Sequence, residues 1–210
     1  MAGFYEDKIF PKVLDVALRK IEPDRQQVVS QMRGKILEIG VGTGANFGHY
    51  HESCEVTGIE PGAAMLVYAQ QRVDGLSKAG SASFDLQLAS AHDLPFNDQS
   101  FDQVLVFLVL CTIPDAGRAV QEAVRVLKPG GELHYFEHVR SPDAGIASWQ
   151  DRLNPVWNKF ACGCHLNRDT EQLLLDHDLE LQASERAYLS NMGPKLAGFI
   201  AQGRAVKAVP

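Results

Sequence analysis

The chain has 210 residues, of which 45 % are hydrophobic and 22 % are charged, and its formal net charge is −6. These values are typical of one soluble globular domain, and the acidic balance argues against a nucleic-acid partner, which needs a concentrated basic face. The longest apolar run, Val104 to Cys111, is far shorter than the about 18 residues of a membrane span, and no secretory leader pattern is visible. Because the four cysteines lack a disulfide-framework spacing, we expect reduced thiols in a cytoplasmic protein.

The N-terminal part, residues 1–33, is predicted to be a helical cap. Apolar residues recur at helical spacing between Phe4 and Arg33, and Pro11 and Pro23 are expected to divide this stretch into short helices. Such a cap would either cover the edge of a sheet or form a lid over a binding site, and the sequence leaves both alternatives open.

A short apolar strand, Ile36 to Ile39, leads directly into three glycines spaced two apart, Gly40, Gly42 and Gly44. Glycine permits a positive φ and lets a ligand approach the backbone. The following segment, 45–50, is predicted to begin a helix whose free N–H groups face the same ligand. This pattern indicates a nucleotide-type binding loop, for either a dinucleotide or S-adenosylmethionine.

Strands and helices then alternate along the chain. Strands are predicted at Cys54–Glu60, Ser83–Ala89, Phe101–Leu108 and Glu132–Val139, and helices after Pro61 and around Asp115–Val126, with a turn at Leu127–Gly131. This alternation predicts an α/β fold, a doubly wound Rossmann-like sheet with helices on both faces. The cofactor-binding core would be residues 34–140.

The last third of the chain departs from this rhythm. Residues 141–167 are rich in proline, glycine and tryptophan and are predicted to be an acceptor-side insert. Residues 168–210 are predicted to form a helix at about Arg168–Asp176 and two edge strands near Leu179–Ala187 and Gly198–Val206. Because only a short connection joins these strands, we expect them to pair antiparallel. The whole chain, 1–210, is then one domain.

Two acidic residues bear on the ligand of the glycine loop. Gly40 and Gly42 fit the loose dinucleotide fingerprint, and Glu60, 20 residues after Gly40, would accept hydrogen bonds from the ribose of either ligand, unless it is only a solvated strand-end carboxylate. Glu38 discriminates, because a carboxylate there would repel a pyrophosphate but would attract the cationic groups of S-adenosylmethionine. The alternative is that Glu38 caps the loop's own N–H groups.

Four segments in this order resemble class I S-adenosylmethionine-dependent methyltransferases. They are Glu38-Ile-Gly40-Val-Gly42-Thr-Gly44, the strand end Glu60, the turn Ala91-His92-Asp93-Leu94-Pro95-Phe96, and Leu127-Lys128-Pro129-Gly130-Gly131. The resemblance covers roughly residues 34–139. It implies seven strands, mostly parallel with an antiparallel final strand, and S-adenosyl-L-methionine as the cofactor.

The resemblance also implies cofactor-binding residues. The three glycines would wrap the methionine and ribose portions, Glu60 would hold the ribose, Ala91 and His92 would read the adenine, and Phe107 and Leu108 would line the methionine side. Ser90 stands where many relatives have an aspartate that accepts from the adenine amino group, so it is expected to be a weaker acceptor there.

Two residues are candidates for the acceptor side. Cys111 lies just beyond the fourth strand, where some small-molecule methyltransferases place a histidine, but it would equally suit apolar packing. His138 lies at the carboxyl end of the fifth strand, the ligand side of such a sheet, but it shares a face with His134 and would equally suit a hydrogen-bonded sheet position. Glu137 points to the opposite face and is not favoured.

The insert carries Cys162-Gly163-Cys164-His165, but zinc sites generally need four ligands with paired spacing and no second pair exists, so we predict no metal site. The segment from Leu153 to Arg168 resembles the corresponding part of small alkyl-thiol methyltransferases, including the preceding Glu137-His138-Val139. Trp149, Trp157 and Phe160 would make the acceptor pocket apolar. We expect Arg168 to pair with surface acids, and Asn167 or Asp169 to cap the next helix.

We therefore predict an enzyme that transfers a methyl group from S-adenosylmethionine to a small, fairly hydrophobic acceptor, with a thiol favoured. Three alternatives remain open: a quinone or phospholipid-headgroup methyltransferase, a non-catalytic S-adenosylmethionine-binding protein, and an NAD(P)-dependent oxidoreductase. Eukaryotic members of the alkyl-thiol branch carry an N-terminal membrane anchor that is not seen in this sequence. A peripheral membrane contact and the oligomeric state are left open.

Overall fold

The computed structural model describes residues 9–76, 80–190, 192 and 194–209. Within them seven strands form one sheet: β1 (Lys35–Ile39), β2 (Glu55–Glu60), β3 (Ser83–Leu88), β4 (Phe101–Phe107), β5 (Leu127–His138), β6 (Leu179–Tyr188) and β7 (Phe199–Lys207). The α-helices are α1 (Phe10–Leu18), α2 (Glu22–Val29), α3 (Ala63–Gly75), α4 (Ala116–Val126), α5 (Ala144–Phe160) and α6 (Thr170–Leu175), with 3₁₀ turns at Arg19–Ile21 and Phe47–His49. None of the described helices is long and apolar enough to cross a membrane.

The strand order is β3-β2-β1-β4-β5-β7-β6. The first five strands pair in parallel, and β7 runs antiparallel to both β5 and β6. This topology confirms the predicted Rossmann-like sheet with an antiparallel final strand. The chain order reverses between β1 and β4, and in open α/β sheets a ligand binds at the carboxyl ends of the strands beside such a reversal.

Alternate residues of the central strands face opposite sides of the sheet, as the two-residue period of a strand requires. Leu37 and Val104 face a cluster that α4 and α6 complete, whereas Ile36 and Leu105 face a cluster that α2 and α3 complete. Helices therefore cover both faces of the sheet. Burial of two apolar faces holds the strand ends in a fixed arrangement.

The N-terminal prediction falls partly on residues 1–8, which lie outside the described residues. From Phe10 onward the predicted short helices are present, and Pro11 and Pro23 each lie in the first turn of a helix rather than interrupting one. Proline suits that position because a first-turn N–H has no partner within the helix.

The predicted helix over residues 45–50 is wrong. Only a 3₁₀ turn, Phe47–His49, forms there, and Tyr50 already has an extended backbone. The side chains of Asn46 and Tyr50 both bind Glu38, at 2.7 Å each. These two bonds hold the segment against β1, and such side-chain bonds compete with helix formation.

Two further predictions about the chain after β4 need correction. Residues 127–131, predicted to be a turn, are the first residues of β5. The predicted irregular insert contains the 17-residue helix α5, which begins where the carboxylate of Asp143 accepts from the N–H groups of Gly145 and Ile146. The prolines and glycines concealed the helix, although Pro155 lies inside it. The sequence offered Asn167 or Asp169 as the N-cap of the next helix, and the structure shows that Asp169 caps α6.

Candidate functional site

The glycine loop lies at the carboxyl end of β1. Gly40, Gly42 and Gly44 have φ values of +71°, +54° and +76°. A Cβ at Gly40 would lie 2.2 Å from Val109 Cγ2, so the loop packs directly on the segment after β4. A Cβ at Gly42 would meet nothing within 4 Å, which leaves open space above the backbone there. An open backbone surface in the left-handed conformation suits close approach by a ligand.

Glu60 ends β2 beside this loop, as the sequence predicts. One carboxylate oxygen accepts from the Gly42 N–H and the other from the Gly62 N–H, each at 3.0 Å. Burial raises the pKa of Glu60, and these two bonds act against that rise. A fixed carboxylate next to the open glycine backbone fits a ribose diol, since each oxygen retains acceptor capacity.

Glu38 lies beneath the loop and is 1 % exposed. It accepts hydrogen bonds from Asn46 and Tyr50, and Asn46 in turn accepts from Arg25 at 2.5 Å. Burial raises the pKa of Glu38 to about 7, although these bonds and the Arg25 charge act in the opposite direction. The carboxylate binds side chains of the loop region rather than the loop's N–H groups. Its contact with the cofactor's ammonium group stays a prediction.

Helix α1 is tied to the cofactor loop through Asp15. The Thr43 hydroxyl, within the glycine loop, donates to Asp15 at 2.5 Å, and Arg72 of α3 binds the other carboxylate oxygen at 3.0 Å. These contacts join α1 to the glycine loop, and the choice between a lid and a sheet-edge cover stays a prediction. Asp15 is a residue that the helical spacing alone did not single out.

The turn after β3 carries Ser90, Ala91 and His92. Ser90 is exposed, and its hydroxyl accepts from the His92 N–H at 3.2 Å. Ala91 is buried, and the buried Nε2 atom of His92 has no hydrogen-bond partner among the described residues. An unsatisfied ring nitrogen at this edge fits a polar ligand such as adenine.

The segment that follows this turn is fixed by an ion pair that the sequence did not reveal. Buried Glu122 accepts from the Leu94 N–H at 2.9 Å, and Arg125 binds both Glu122 and the carbonyl groups of Leu94 and Phe96. The bond from Arg125 holds the pKa of Glu122 below its usual value.

Phe107 is the last residue of β4, and Leu108, predicted to be in the strand, directly follows it. Phe107 stacks on Phe136 with ring centroids 4.5 Å apart, and the Arg25 guanidinium lies over the Phe107 ring at 4.8 Å from its centroid. Leu108 has a φ of +54°, and its N–H donates to the carbonyl of Phe136 at 2.7 Å. That conformation is costly for a branched side chain and turns the chain sharply at the sheet edge.

Glu137, which the sequence analysis did not favour, organises the loop after β4. It is fully buried, and its carboxylate accepts from the backbone N–H groups of Val109, Leu110 and Cys111 at 2.9, 2.9 and 3.0 Å. Burial raises the pKa of Glu137, whereas the three bonds lower it. Val109 packs on Gly40, so one carboxylate positions both the segment against the cofactor loop and Cys111 beyond it.

Cys111 and His138, the two predicted acceptor-side residues, lie together with Cys164. The Cys111 and Cys164 sulfur atoms are 3.7 Å apart, and Cys164 Sγ is 3.7 Å from His138 Nδ1. The hydrogen bond between the thiols raises the pKa of Cys111 and lowers that of Cys164, which the neighbouring His138 lowers further.

His165 and Arg168 support this group without belonging to it. The two ring nitrogens of His165 lie 3.0 and 3.1 Å from the side-chain amides of Asn154 and Asn158 on α5. Arg168 donates to the carbonyl groups of Leu110 and Ile113, so the expectation that it pairs with surface acids is wrong. Its guanidinium instead binds the loop that carries Cys111.

The aromatic residues of α5 do not enclose a pocket in the way that the sequence suggests. Trp149 and Phe160 are 55 % and 68 % exposed, and Leu153 and Val156 form the rest of an apolar stripe on the same helix. Trp157 is half-buried, and its buried indole nitrogen has no hydrogen-bond partner among the described residues.

The glycine loop, the Glu60 carboxylate and the group of two cysteines and one histidine therefore all lie at the carboxyl ends of the parallel strands. A family model described as a methyltransferase domain matches residues 37–135. Thiol S-methyltransferase TMT1B of Homo sapiens is 32 % identical over 208 residues, which span 90 % of this chain and 80 % of that protein. The chain belongs to the S-adenosylmethionine-dependent methyltransferase family.

Thiol S-methyltransferase TMT1B of Rattus norvegicus is similar as well, at 34 % identity over 167 residues. The matched part spans 72 % of this chain and 66 % of the rat protein, slightly under two thirds of its length. Among solved structures, N-methyltransferase NodS of Bradyrhizobium japonicum in complex with S-adenosyl-L-homocysteine has a TM-score of 0.63 and 18 % identity, covering 97 % of this chain and 90 % of that chain. At that identity the likeness shows the fold alone.

The match to the family confirms three predictions made from the sequence: the superfamily, the methyltransferase class and S-adenosylmethionine as the cofactor. The NAD(P)-dependent alternative is not favoured. The open backbone at Gly42, the fixed carboxylate of Glu60 and the unpartnered nitrogen of His92 fit this cofactor. The contacts of individual residues with the cofactor stay predictions.

Proposed function

We propose that the protein transfers the methyl group of S-adenosylmethionine to the sulfur atom of a small, apolar thiol. The observation that carries the proposal is the group of Cys111, His138 and Cys164 on the same sheet edge as the cofactor loop. The names of the human and rat relatives support a thiol acceptor.

The proposed roles follow from position. Bound S-adenosylmethionine supplies a methyl group on a positively charged sulfur, which needs no further activation. Gly40, Gly42 and Gly44 would hold it through the backbone, Glu60 through the ribose, and the turn at Ser90–His92 through the adenine. Glu38 would place negative charge beneath the cationic groups, and Phe107 and Leu108 would shape the wall of the site.

The acceptor side requires placement more than acid–base chemistry. A free thiol has a pKa of about 8.5, so its thiolate is accessible near neutral pH and the proton can leave to solvent. His138, half-buried at the end of β5, and the two cysteines would therefore act by holding the acceptor sulfur in line with the donor. Glu137 and Arg168 act as positioning residues, because they fix the backbone that carries Cys111.

The test is a transfer assay with isotopically labelled S-adenosylmethionine and sets of acceptors matched in carbon skeleton. Each set contains an alkyl thiol, the corresponding alcohol and the corresponding amine, and a quinol and a phospholipid amine are added separately. We expect label on the thiols alone. Transfer to the quinol or the lipid amine without transfer to any thiol would contradict the proposal, and tight binding of S-adenosylhomocysteine without any transfer would indicate a non-catalytic binding protein.

We also propose a cytoplasmic location with no nucleic-acid partner. None of the four cysteines forms a disulfide in the structure, and a reducing compartment maintains thiols in that state. The acidic net charge of −6 disfavours a polyanionic partner. Fractionation followed by thiol counting without added reductant tests the location, and disulfides in the freshly isolated protein would contradict it.

A further inference from the structure

Three side chains with metal-ligating atoms come together from distant parts of the chain. Cys111 lies after β4, His138 is the last residue of β5, and Cys164 follows α5. Their ligating atoms all lie within 4.8 Å of one another, and the two cysteines are 1 % and 6 % exposed. We propose that Cys111, His138 and Cys164 bind one Zn²⁺ ion whose open fourth position receives the acceptor thiol.

The spacing of the three atoms fits a tetrahedral zinc ion. Zn–S bonds of about 2.3 Å and Zn–N bonds of about 2.0–2.1 Å place two sulfurs about 3.8 Å apart and a sulfur and a nitrogen about 3.5–3.6 Å apart. The observed separations are 3.7 Å between the sulfurs and 3.7 Å between Cys164 Sγ and His138 Nδ1. Small side-chain rotations complete the arrangement, since no separation exceeds 4.8 Å.

The charges of the group also favour a dication. Two thiolates whose sulfur atoms lie 3.7 Å apart in a buried group would repel one another. A Zn²⁺ ion neutralises both thiolates. Two sulfurs and one imidazole are soft and borderline ligands, which suit zinc and not magnesium or calcium.

The surrounding contacts hold the ligands in place, as outer contacts do in established metal sites. Glu137 and Arg168 fix the backbone around Cys111, and α5 fixes His165, the neighbour of Cys164, through two asparagine amides. His165 is thereby occupied, so the described part of the chain supplies three ligands and not four. Three protein ligands with an open position distinguish catalytic zinc sites from structural ones.

The open position would bind and activate the acceptor thiol, a role that rests on the proposed thiol methyltransferase function. An acceptor thiol bound at this position would form a Zn–S bond through its sulfur as its S–H bond broke and the proton passed to solvent. The zinc ion does not change its oxidation state. His138 is half-buried, so this ligand is more exposed to solvent than the two buried cysteines. Zinc would therefore hold the acceptor as a thiolate below its free pKa.

The first experiment measures metal binding without any methyl transfer. The reduced protein is stripped with a chelator, and Zn²⁺ is titrated against a competing chromophoric chelator. We expect one equivalent of zinc, and Co²⁺ substitution should give sulfur-to-cobalt charge-transfer absorption that shifts when an alkyl thiol, but not the matched alcohol, is added.

Substitutions test whether zinc is bound by this three-residue group or by the contiguous motif Cys162-Gly163-Cys164-His165. Cys164→Ser and the half-buried His138→Gln should each weaken zinc binding by more than about 100-fold, because each loses a direct ligand. Cys162→Ser, two residues away, is the matched control and should bind zinc as wild type does. Circular dichroism checks that each variant is folded. Less than half an equivalent of zinc, or equal weakening by Cys162→Ser, would overturn the site.

The two proposals can fail separately. Zinc binding without methylation of any thiol would leave the metal site standing and refute the thiol methyltransferase function. Undiminished thiol methylation by the metal-free protein would refute the role of the fourth position and leave the function standing.

Discussion

Alanine substitutions at Gly40, Gly42 and Gly48 should separate the structural role of the cofactor loop from its binding role. At Gly40 the backbone φ is +71° and a Cβ would lie 2.2 Å from Val109 Cγ2. The left-handed conformation costs an alanine about 1–2 kcal/mol, and the overpacking against Val109 adds about 1–3 kcal/mol. We therefore expect Gly40→Ala to lower the free energy of unfolding by about 2–5 kcal/mol.

Gly42→Ala should affect ligand binding more than stability. Its φ of +54° carries the same conformational cost of about 1–2 kcal/mol, but a Cβ there meets no atom within 4 Å. The added methyl group would enter the space that the cofactor needs. We expect affinity for S-adenosylhomocysteine to fall by about tenfold or more, which corresponds to about 1.4 kcal/mol.

Gly48→Ala is the matched control, because Gly48 has an ordinary φ and equally open surroundings. It should be neutral or stabilising by about 0.4–1 kcal/mol, since alanine restricts the unfolded chain. Urea unfolding measures stability, and calorimetry with S-adenosylhomocysteine measures affinity. The reasoning is refuted if Gly40→Ala is as stable as Gly48→Ala, or if Gly42→Ala binds as tightly as wild type.

Three further substitutions test the contacts around the cofactor. Glu60→Ala should weaken S-adenosylhomocysteine binding by about 1–3 kcal/mol in calorimetry, because the ribose loses a charged acceptor; unchanged affinity would remove Glu60 from the site. Asp15→Ala breaks the bond from Thr43, so hydrogen exchange in α1 should rise and cofactor affinity should fall by about three- to tenfold, whereas unchanged exchange would argue against a lid. Glu122→Gln should cost about 1–3 kcal/mol at pH 7 in urea unfolding. Because Arg125 lowers the pKa of Glu122, this stabilisation is fully present above the ordinary carboxyl pKa of about 4.3 and is lost as the pH falls from there through the lowered pKa of Glu122, so a difference that does not shrink on acidification below about 4.3 would contradict the assignment.

The sheet and the cofactor loop could be predicted from sequence because their signals are local. Strand β1 and its glycines are contiguous, Glu60 lies at a fixed distance from them, and the alternation of strands and helices leaves few topologies. One of the wrong predictions falls where side chains override local propensity. Asn46 and Tyr50 bind Glu38 and prevent the helix expected over residues 45–50.

The acceptor side could be predicted only in part, because its residues meet through tertiary structure. Cys111 and His138 were singled out from their places at strand ends, but Cys164 comes from another segment, and no spacing rule links the three. Glu137 was set aside because strand alternation directs it away from His138. That direction is what lets its carboxylate reach the three N–H groups after β4.

The most direct test of the methyl transfer to sulfur uses one acceptor that carries both a thiol and a hydroxyl group on a short alkyl chain. The protein is incubated with this mercaptoalcohol and S-adenosylmethionine labelled with ¹³C in the methyl group, and the product is analysed by NMR. The labelled methyl group should appear on sulfur alone, with an equal amount of S-adenosylhomocysteine formed. Label on oxygen, or no labelled product while S-adenosylmethionine binds, would contradict the account.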